Sequence, residues 1–569
     1  MSQNRIVRLN GLKLKPQEEQ SAGLMNLLQQ KAALALCVTE DQIKKITIIK
    51  KSLDARHKPE LFFIYVLDLE LEQNSSFMSP RQGIKSLGRG ITVEIPLPEK
   101  SFSPVPGQSL SSVPPVVIGA GPAGLFAAIL LAQKGYRPLL LERGRKVNQR
   151  VLDVESFWQT GKLNSESNVQ FGEGGAGTFS DGKLTFRGKD ALRSYLFDEL
   201  VKAGAPQEIR YWHKPHIGSD ILRIVVQNLR KKLQTLGGTI LFDTFVEEII
   251  TENAADKIKV SGIRLKGKKE IVPVCVVLLA PGNGSRDTYR MLEQKGIALE
   301  SKPFAIGLRI EHTQEMIDWA QYGVNRETLS LPAADYQLTW KDFSGGRGVY
   351  SFCMCPGGSI INASSQTGCV ATNGMSDAAR NSGRANSALV VTVGKKDFQE
   401  DFDERPLSGM LWQEKWEQKA YDLTGGDFAL PCQTVEDYVN GFCGSSLPDA
   451  FSPQTAKIKT VDLHDTLPVE ISDCIRNAML HWDHKLPGFA KGEGVLCGIE
   501  TRTSAPVRIL RKENMESQNI TGLYPAGEGA GYAGGIVSSA IDGMRAAGAM
   551  IEAYDLPPKE FAWAKVLDK

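Results

Sequence analysis

The sequence lacks several features that would assign it quickly to a class. Its 67 lysines and arginines nearly balance its 65 aspartates and glutamates, so a net charge of +2 provides no global field favouring nucleic acid or an anionic membrane. The nine cysteines are scattered and suggest neither a disulfide framework nor a zinc site, and we predict no metal. No apolar segment follows residues 1–5, so we expect no signal peptide and a cytoplasmic location.

One apolar stretch, residues 116–141, is long enough to be mistaken for a membrane span. A strand, a glycine turn, a helix and a second strand would account for every residue that interrupts it, whereas a transmembrane helix accounts for none. We therefore expect no membrane partner. The interrupting residues are Gly119, Gly121, Pro122, Gly124, Lys134, Gly135 and Arg137.

The same stretch carries VVIGAGPAG (116–124), a G-x-G-x-x-G motif between an apolar strand and a helical run, with Glu142 ending the next strand. Gly119 permits the turn, Gly121 lets the backbone approach a pyrophosphate, and Gly124 lets helix and strand pack closely. An acid at 142 favours FAD or NAD over NADP. The predicted cofactor residues here are Gly119, Gly121, Pro122, Ala123, Gly124, Glu142 and Arg143.

A second motif, GLYPAGEGAGYAGGI (522–536), favours FAD over NAD. It resembles the closing motif of the glutathione-reductase-like FAD fold, with Glu528 in the place of the acid that binds the ribityl chain. The helix that follows would direct its positive end at the flavin and favour the anionic reduced form. The predicted cofactor residues are Gly527, Glu528, Gly534, Gly535 and Ile536.

Three blocks between these motifs fit the same fold in the required order. They are a second glycine loop, a strand and turn next to adenine, and a strand that ends in Ala-x-Gly. The sequence has no second G-x-G-x-x-G of this quality, so NADH or NADPH, if used, would dock transiently; we expect FAD to be bound non-covalently. The predicted residues are Gly174, Gly175, Ala176, Gly177, Thr178, Val246, Ala280 and Gly282.

The predicted fold is α/β: a Rossmann-like FAD domain in two parts (114–300 and 490–555), an inserted α+β substrate domain (301–489) and a small N-terminal domain (1–98) joined by a linker (99–115). Strand–helix–strand–strand patterns in the N-terminal domain indicate a ferredoxin-like arrangement. The basic run at 50–58 reads either as a solvated loop between strands, which we favour, or as an RNA or anion patch.

Five further blocks resemble a bacterial family of FAD-dependent dehydrogenases, NAD(P)/FAD-dependent oxidoreductases of the glutathione-reductase-like fold. Ser219 stands where that family has Thr. The resemblance spans nearly the whole chain and implies a flavin redox enzyme, while it leaves the substrate open. The blocks are HKPHIGSD (213–220), IGLRIEH (306–312), FCMCPGG (352–358), NGMS (373–376) and ETRTSAPVR (500–508).

The predicted catalytic residues are His216, Arg309, Cys353, Cys355 and Arg502. His216 is either a proton relay or a histidine hydrogen-bonded in a loop. Arg309 is a polar residue near an apolar strand run, and Arg502 or Arg508 either holds a carboxylate or flavin phosphate or belongs to a buried or interdomain ion pair. On a regular strand the Cα atoms of Cys353 and Cys355 would lie about 6.6 Å apart, near the limit for a disulfide, so we favour two small buried side chains over a redox pair.

We expect an FAD-dependent oxidoreductase that passes a hydride between flavin N5 and a small organic substrate, or takes it from NAD(P)H. Two alternatives stay open: a flavin-containing RNA-modifying or RNA-binding protein, against which the near-neutral charge argues, and a redox-sensing flavoprotein without fast turnover. The sequence does not indicate the oligomeric state.

Overall fold

The computed structural model describes residues 5–72, 75, 85–88, 90–96, 102–108, 113–186, 188, 190–254, 257–341, 346–558 and 560–567. Part of the predicted linker, residues 99–101 and 109–112, lies outside the described residues, and so does part of the predicted N-terminal domain. The domain boundaries themselves remain a prediction.

The N-terminal sheet has the strand order β2-β3-β1-β5-β4 and antiparallel neighbours. The order β2-β3-β1-β5 is that of a ferredoxin-like sheet. Residues of β3 alternate between buried and partly exposed, because one face of the sheet lies against the core. The elements are β1 (Arg5–Leu14), α1 (Pro16–Glu19), α2 (Leu24–Leu36), β2 (Ile43–His57), β3 (Glu60–Leu71), β4 (Lys85–Gly88) and β5 (Ile91–Glu94).

The basic run at 50–58 is not the loop that we favoured from the sequence. Strand β2 continues to His57, and its residues keep pairing with β3, from Lys50 opposite Val66 to His57 opposite Glu60. Buried and partly exposed residues alternate along the whole of β3, so β2 pairs with it over its full length although residues 50–58 of β2 have the composition of a loop.

The rest of the chain contributes twenty strands and twelve α-helices among the described residues. Residues 116–294 form β6 (Val116–Ile118), α3 (Pro122–Gln133), β7 (Leu139–Leu141), α4 (Val147–Thr160), α5 (Ala191–Lys202), α6 (Ser219–Thr235), β8 (Thr239–Leu241), β9 (Val246–Ala254), β10 (Lys257–Leu265), β11 (Ile271–Pro273), β12 (Val277–Leu279) and α7 (Arg286–Gln294). Residues 299–393 form β13 (Leu299–Ser301), β14 (Phe304–Thr313), α8 (Gln314–Tyr322), β15 (Thr339–Lys341), β16 (Gly348–Pro356), β17 (Ser359–Asn362), β18 (Thr372–Met375) and β19 (Arg384–Val393). Residues 395–567 form α9 (Lys395–Phe402), α10 (Ser408–Leu423), β20 (Leu430–Thr434), α11 (Val435–Asn440), β21 (Ile458–Thr460), α12 (Val469–Asp483), β22 (Val495–Glu500), β23 (Val507–Ile509), β24 (Ile520–Thr521), β25 (Leu523–Pro525), α13 (Ile536–Ala553) and α14 (Ala564–Leu567).

A five-stranded parallel sheet, β25-β12-β6-β7-β8, forms the centre of the Rossmann-like unit. Helices α3, α6 and α13 pack on one face, and the antiparallel strands β9–β11 with β24 lie on the other. The inner strands β6, β7 and β12 are wholly apolar because both faces of the sheet are covered there. Helix α3 is apolar on all sides for the same reason. The predicted strand–turn–helix–strand order at 116–141 is confirmed.

The strands of this sheet end in register, which determines where the site lies. Ile118 is level with Leu141 and Leu279, and Leu279 is level with Pro525. The residues that follow therefore emerge along one edge, at the carboxyl ends of the strands, where ligands bind in open α/β sheets.

A second sheet of seven strands, β15-β16-β19-β14-β22-β20-β21, lies between the two parts of the Rossmann-like unit in the chain. Its neighbours are antiparallel except β20 and β21. Strand β22 belongs to this sheet although it falls beyond residue 489, where we had predicted the inserted domain to end. No helix in the described part of the chain is long and apolar enough to cross a membrane.

Candidate functional site

A cavity of about 1180 Å³ opens at the carboxyl edge of the parallel sheet, and we call it the central cavity. The N-terminal sheet, the Rossmann-like unit and the seven-stranded sheet all contribute to its wall. It is larger than the roughly 300–1,000 Å³ of a pocket for one drug-sized ligand. The predicted cofactor residues in its wall are Gly119, Gly121, Pro122, Ala123, Glu142, Arg143, Gly175, Ala176, Gly177, Val246, Ala280, Gly282, Gly527, Glu528, Gly534, Gly535 and Ile536.

The first glycine turn leaves no space for a side chain at Gly119 or at Gly124. Gly119 has φ +100°, and a Cβ there would lie 2.2 Å from the Ala280 carbonyl oxygen. A Cβ on Gly124 would lie 1.9 Å from the carbonyl oxygen of Gly119, so this glycine shapes the turn from behind the cavity wall. Helix α3 begins after Gly121, which has no side chain to cap it. Its first N–H groups are therefore available to an anion.

The Glu142 carboxylate is held by the backbone. It accepts hydrogen bonds from the N–H groups of Ala120 (2.7 Å), Gly144 (2.9 Å) and Gly172 (3.0 Å). A carboxylate offers about four acceptor positions. The three bonds orient Glu142 and leave it able to accept one more, which suits a ribose hydroxyl.

Arg143 forms one wall near this carboxylate. Its guanidinium lies 4.2 Å from the ring centroids of both Phe171 and Phe245, and it pairs with Glu166 and Asp287. These contacts hold the guanidinium between two aromatic rings. Arg143 thereby stiffens the side of the cavity at which β9 begins.

The second glycine loop packs directly on the first. A Cβ on Gly175 would lie 3.0 Å from the Cα of Gly121. Gly174 and Thr178 lie behind the wall: a Cβ on Gly174 would lie 2.2 Å from the Thr178 hydroxyl, which donates to the Glu173 carbonyl at 3.2 Å. These two residues shape the loop, and Gly175, Ala176 and Gly177 form the surface.

Glu528 is the second acid in the wall of the central cavity. Asn283 donates a hydrogen bond to its carboxylate at 2.6 Å. Burial outweighs that bond and raises the pKa of Glu528 to about 7. Sequence reasoning missed Asn283, although it directly follows Gly282 at the predicted strand end. Helix α13 begins close by, after Gly535, which again offers no side-chain cap.

This donor and acceptor set fits FAD. Two helix N-termini preceded by glycine, the buried acid Glu142 and the partly buried acid Glu528 belong to one cavity. Glu142 and the α3 N-terminus suit an adenosine and its pyrophosphate, and Glu528 and the α13 N-terminus suit the flavin half.

Of the predicted catalytic residues, Cys353 and Arg502 line the central cavity. The guanidinium of Arg502 is engaged by the buried Glu417 carboxylate, at 3.0 and 3.2 Å, as the ion-pair alternative expected. Arg309 is fully buried behind the wall and forms a two-point pair with Glu500 at 2.9 and 3.0 Å.

His216 also lies outside the lining residues. Its Nε2 is 3.2 Å from the Ala378 carbonyl oxygen, which can only accept, so Nε2 carries the proton. Burial and the nearby Arg380 lower the pKa of His216. A neutral histidine hydrogen-bonded in a loop is the alternative that this geometry favours.

Cys353 and Cys355 do not lie on a regular strand, which corrects the basis of our sequence argument. Phe352 pairs with Ala388 and Cys355 with Asn386, so three steps along β16 match two along β19. This is a β-bulge, and Cys353 has φ +45° within it. Lys183 contacts the bulge and donates to the Met354 carbonyl. No sequence motif marked Lys183, because only the fold brings it to this strand.

A protein of Clostridium beijerinckii, described as an uncharacterized protein, is 42% identical to the chain over 551 residues, which cover 97% of the chain and 99% of that protein. Residues 303–503 match the model of the FAD-dependent protein, C-terminal domain-like family, and residues 117–156 match the NAD(P)-binding Rossmann-like domain. The chain belongs to this family of FAD-dependent proteins.

In this FAD-dependent protein the matched C-terminal region corresponds to the seven-stranded sheet, and residues 6–70 match a domain of unknown function. Solved structures show a distant likeness. A flavin-dependent brominase Bmp2 triple mutant is 12% identical, with a TM-score of 0.33 and coverage of 80% of this chain and 83% of that one. A geranylgeranyl bacteriochlorophyll reductase-like protein of Thermoplasma acidophilum is 13% identical, with a TM-score of 0.32 and coverage of 78% and 79%.

Proposed function

We propose that this protein binds FAD non-covalently in the central cavity and passes a hydride between flavin N5 and a small organic substrate or NAD(P)H. One observation carries the proposal: the N-termini of α3 and α13, with Glu142 and Glu528, belong to the wall of a single cavity. We also infer that it works in the cytoplasm, in keeping with nine cysteines at spacings that suggest no disulfide framework.

In this proposal the chain's own groups bind and orient the cofactor. The bound flavin would supply two-electron redox chemistry. The Glu142 carboxylate accepts from a ribose hydroxyl, the free N–H groups of α3 hold the pyrophosphate, and Glu528 accepts from the ribityl chain. The positive end of α13 stabilises negative charge on the reduced ring.

The substrate side of the cavity comes from the seven-stranded sheet and the N-terminal sheet. Phe352 and Cys353 line it from the first of these, Arg8 and Lys50 from the second, and Asn373 from the neighbouring strand β18. The volume beyond that of a usual single-ligand pocket leaves room for a small substrate or a nicotinamide next to the flavin. A nicotinamide would dock there transiently.

The test is the visible spectrum of the purified protein before and after anaerobic addition of NADH and then NADPH. We expect flavin bands, release of FAD on denaturation, and bleaching by one of the two nucleotides or by a reduced organic substrate. Absence of flavin after careful reconstitution with FAD would refute the proposal. Bound flavin that no reductant bleaches would leave a redox-sensing role in its place.

A further inference from the structure

We propose that Cys353 and Cys355 form a dithiol that exchanges an electron pair with the flavin and takes a disulfide as its external substrate. This role rests on the proposed function, because it needs FAD in the central cavity. It adds a chemical class of substrate to a site in which the flavin's reaction partner is otherwise open.

The bulge in β16 brings the two thiols together. A regular strand would hold the Cα atoms of residues i and i+2 about 6.6 Å apart, near the limit for a disulfide. The extra residue in the bulge removes that constraint, and the Cys355 thiol donates a hydrogen bond to the Cys353 carbonyl oxygen at 3.2 Å. Cys353 takes up a φ of +45° there, a conformation that non-glycine residues adopt mainly where the surrounding structure imposes it.

Two cations lie against the pair, the fully buried Arg309 and the partly exposed Lys183. Lys183 Nζ is 3.8 Å from the Cys355 sulfur, and Arg309 Nη1 is 3.4 Å from the Cys353 carbonyl oxygen. The Cys355 side chain and the charges of Lys183 and Arg309 outweigh burial and lower the pKa of Cys353. The Cys353 side chain and burial raise the pKa of Cys355. Cys353 is therefore the thiol of the pair that ionises first.

Thiol–disulfide exchange requires one sulfur that an external disulfide can reach and a second sulfur beside it, and the two cysteines differ in exposure in this way. Cys353 lines the central cavity, whereas Cys355 is 0% exposed. An external disulfide can reach only Cys353, which also has the lower pKa of the two thiols and is hence the nucleophile. Cys355 is then in place to resolve the mixed disulfide.

A second cysteine pair shows what this arrangement adds. Cys432 and Cys497 lie opposite each other on β20 and β22 with their sulfurs 2.9 Å apart, and both are fully buried. Burial raises the pKa of Cys497 well above its ordinary value. These thiols do not line the central cavity, so the pair serves as a matched control.

The electron exchange balances in both directions. The Cys353 thiolate and the Cys355 thiol form one S–S bond and lose two electrons and one proton, which convert FAD to its anionic reduced form. In reverse, the reduced flavin breaks that S–S bond and returns one thiolate and one thiol. A hydride from NAD(P)H supplies the electron pair in the reductive direction.

Exchange with the external disulfide also balances. Cys353 attacks one of its sulfurs, so a mixed disulfide forms and the first external thiolate leaves. Cys355 then attacks Cys353, the second external thiol leaves, and the internal S–S bond forms again. The external disulfide is reduced to two thiols at the cost of the two electrons held by the Cys353–Cys355 dithiol.

The experiment is an anaerobic dithionite titration of the oxidised holoprotein, monitored by the flavin absorbance, for wild type, Cys355→Ser and the control Cys432→Ala. Iodoacetamide labelling under denaturing conditions, which expose the buried Cys355, and peptide mass spectrometry of oxidised and reduced wild type run in parallel and need no variant. We expect wild type and Cys432→Ala to take up two two-electron equivalents per FAD, and Cys355→Ser to take up one.

In the labelling experiment, Cys353 and Cys355 should be protected in oxidised wild type and become labelled after reduction. Uptake of one equivalent by wild type, or full labelling of both cysteines in the oxidised protein, would overturn this role. Either result with normal flavin bands would leave the proposed function standing, whereas a protein that cannot be loaded with FAD would refute the proposed function itself.

Discussion

The charge of Glu417 should be worth several kcal/mol of stability, because it holds two units of the fold together. Its carboxylate is fully buried and accepts from Arg286 on α7 at 2.9 and 3.0 Å and from Arg502, after β22, at 3.0 and 3.2 Å. Thr501 donates a further bond at 2.6 Å. Neutralising Glu417 would leave two buried guanidinium groups without their counter-charge.

The magnitude follows from two routes. Removing one partner of a buried ion pair costs about 3–5 kcal/mol. Burial alone would raise the pKa of Glu417, but Arg286 and Arg502 outweigh it and lower the pKa from 4.5 to about 2. At about 1.4 kcal/mol per pKa unit, that shift corresponds to roughly 3 kcal/mol, in agreement with the first route.

The pH dependence follows from the same shift. A carboxylate with a lowered pKa stabilises the folded state fully above its unfolded pKa of 4.5. This contribution is lost as the pH falls from 4.5 towards 2. The stability difference between wild type and Glu417→Gln should therefore be largest at neutral pH and shrink below pH 4.5.

The assay is urea unfolding of wild type and Glu417→Gln, followed by tryptophan fluorescence. Asp401→Asn is the matched control. Asp401, on α9, pairs at 2.7 Å with Lys415, which lies on α10 like Glu417, and both side chains of this pair are exposed. We expect the control to change the free energy of unfolding by less than about 1 kcal/mol. A loss below about 1 kcal/mol in Glu417→Gln as well would refute the reasoning.

Three further predictions concern the cofactor site. Gly119→Ala should lose bound FAD, because its Cβ would lie 2.2 Å from the Ala280 carbonyl oxygen; the FAD-to-protein ratio after gel filtration measures this, with Gly267→Ala, which has open space, as control. Glu142→Gln should weaken FAD binding about 10- to 100-fold in a titration of apoprotein, since an amide nitrogen would face a backbone donor. Because burial raises the pKa of Glu528 from 4.5 to about 7, the protonated carboxyl stabilises the folded apoprotein below pH 4.5. That stabilisation is lost as the pH rises through about 7. Wild-type melting temperature should therefore fall over that range relative to Glu528→Gln, and parallel curves would contradict this.

The glycine motifs could be predicted from the sequence because the backbone requirements that they meet involve residues close together in the chain. A tight turn after a buried strand requires Gly119, close packing of helix on strand requires Gly124, and an acid at the next strand end requires Glu142 at a set distance along the chain. The Rossmann-like unit and its FAD fingerprint were therefore predictable, and their order along the chain was too.

Contacts between residues far apart in the chain could not be predicted from the sequence. The pairing of Arg502 with Glu417 joins residues 85 positions apart, and that of Arg309 with Glu500 joins residues 191 apart. The sequence left Arg502 open between anion binding and ion pairing, because either role needs the same residue type. Asn283 follows the end of β12, where no motif marks it. Lys183 reaches the site only because the fold brings it to the bulge in β16.

The sequence by itself determined the Rossmann-like core, its two glycine motifs and the fit to FAD, since backbone conformation and burial pattern impose these on neighbouring residues. Tertiary structure alone decided which charged side chains lie in the cavity wall and which are neutralised behind it. It also decided the local geometry of Cys353 and Cys355, because a bulge arises from the mismatch between two paired strands and belongs to neither strand alone.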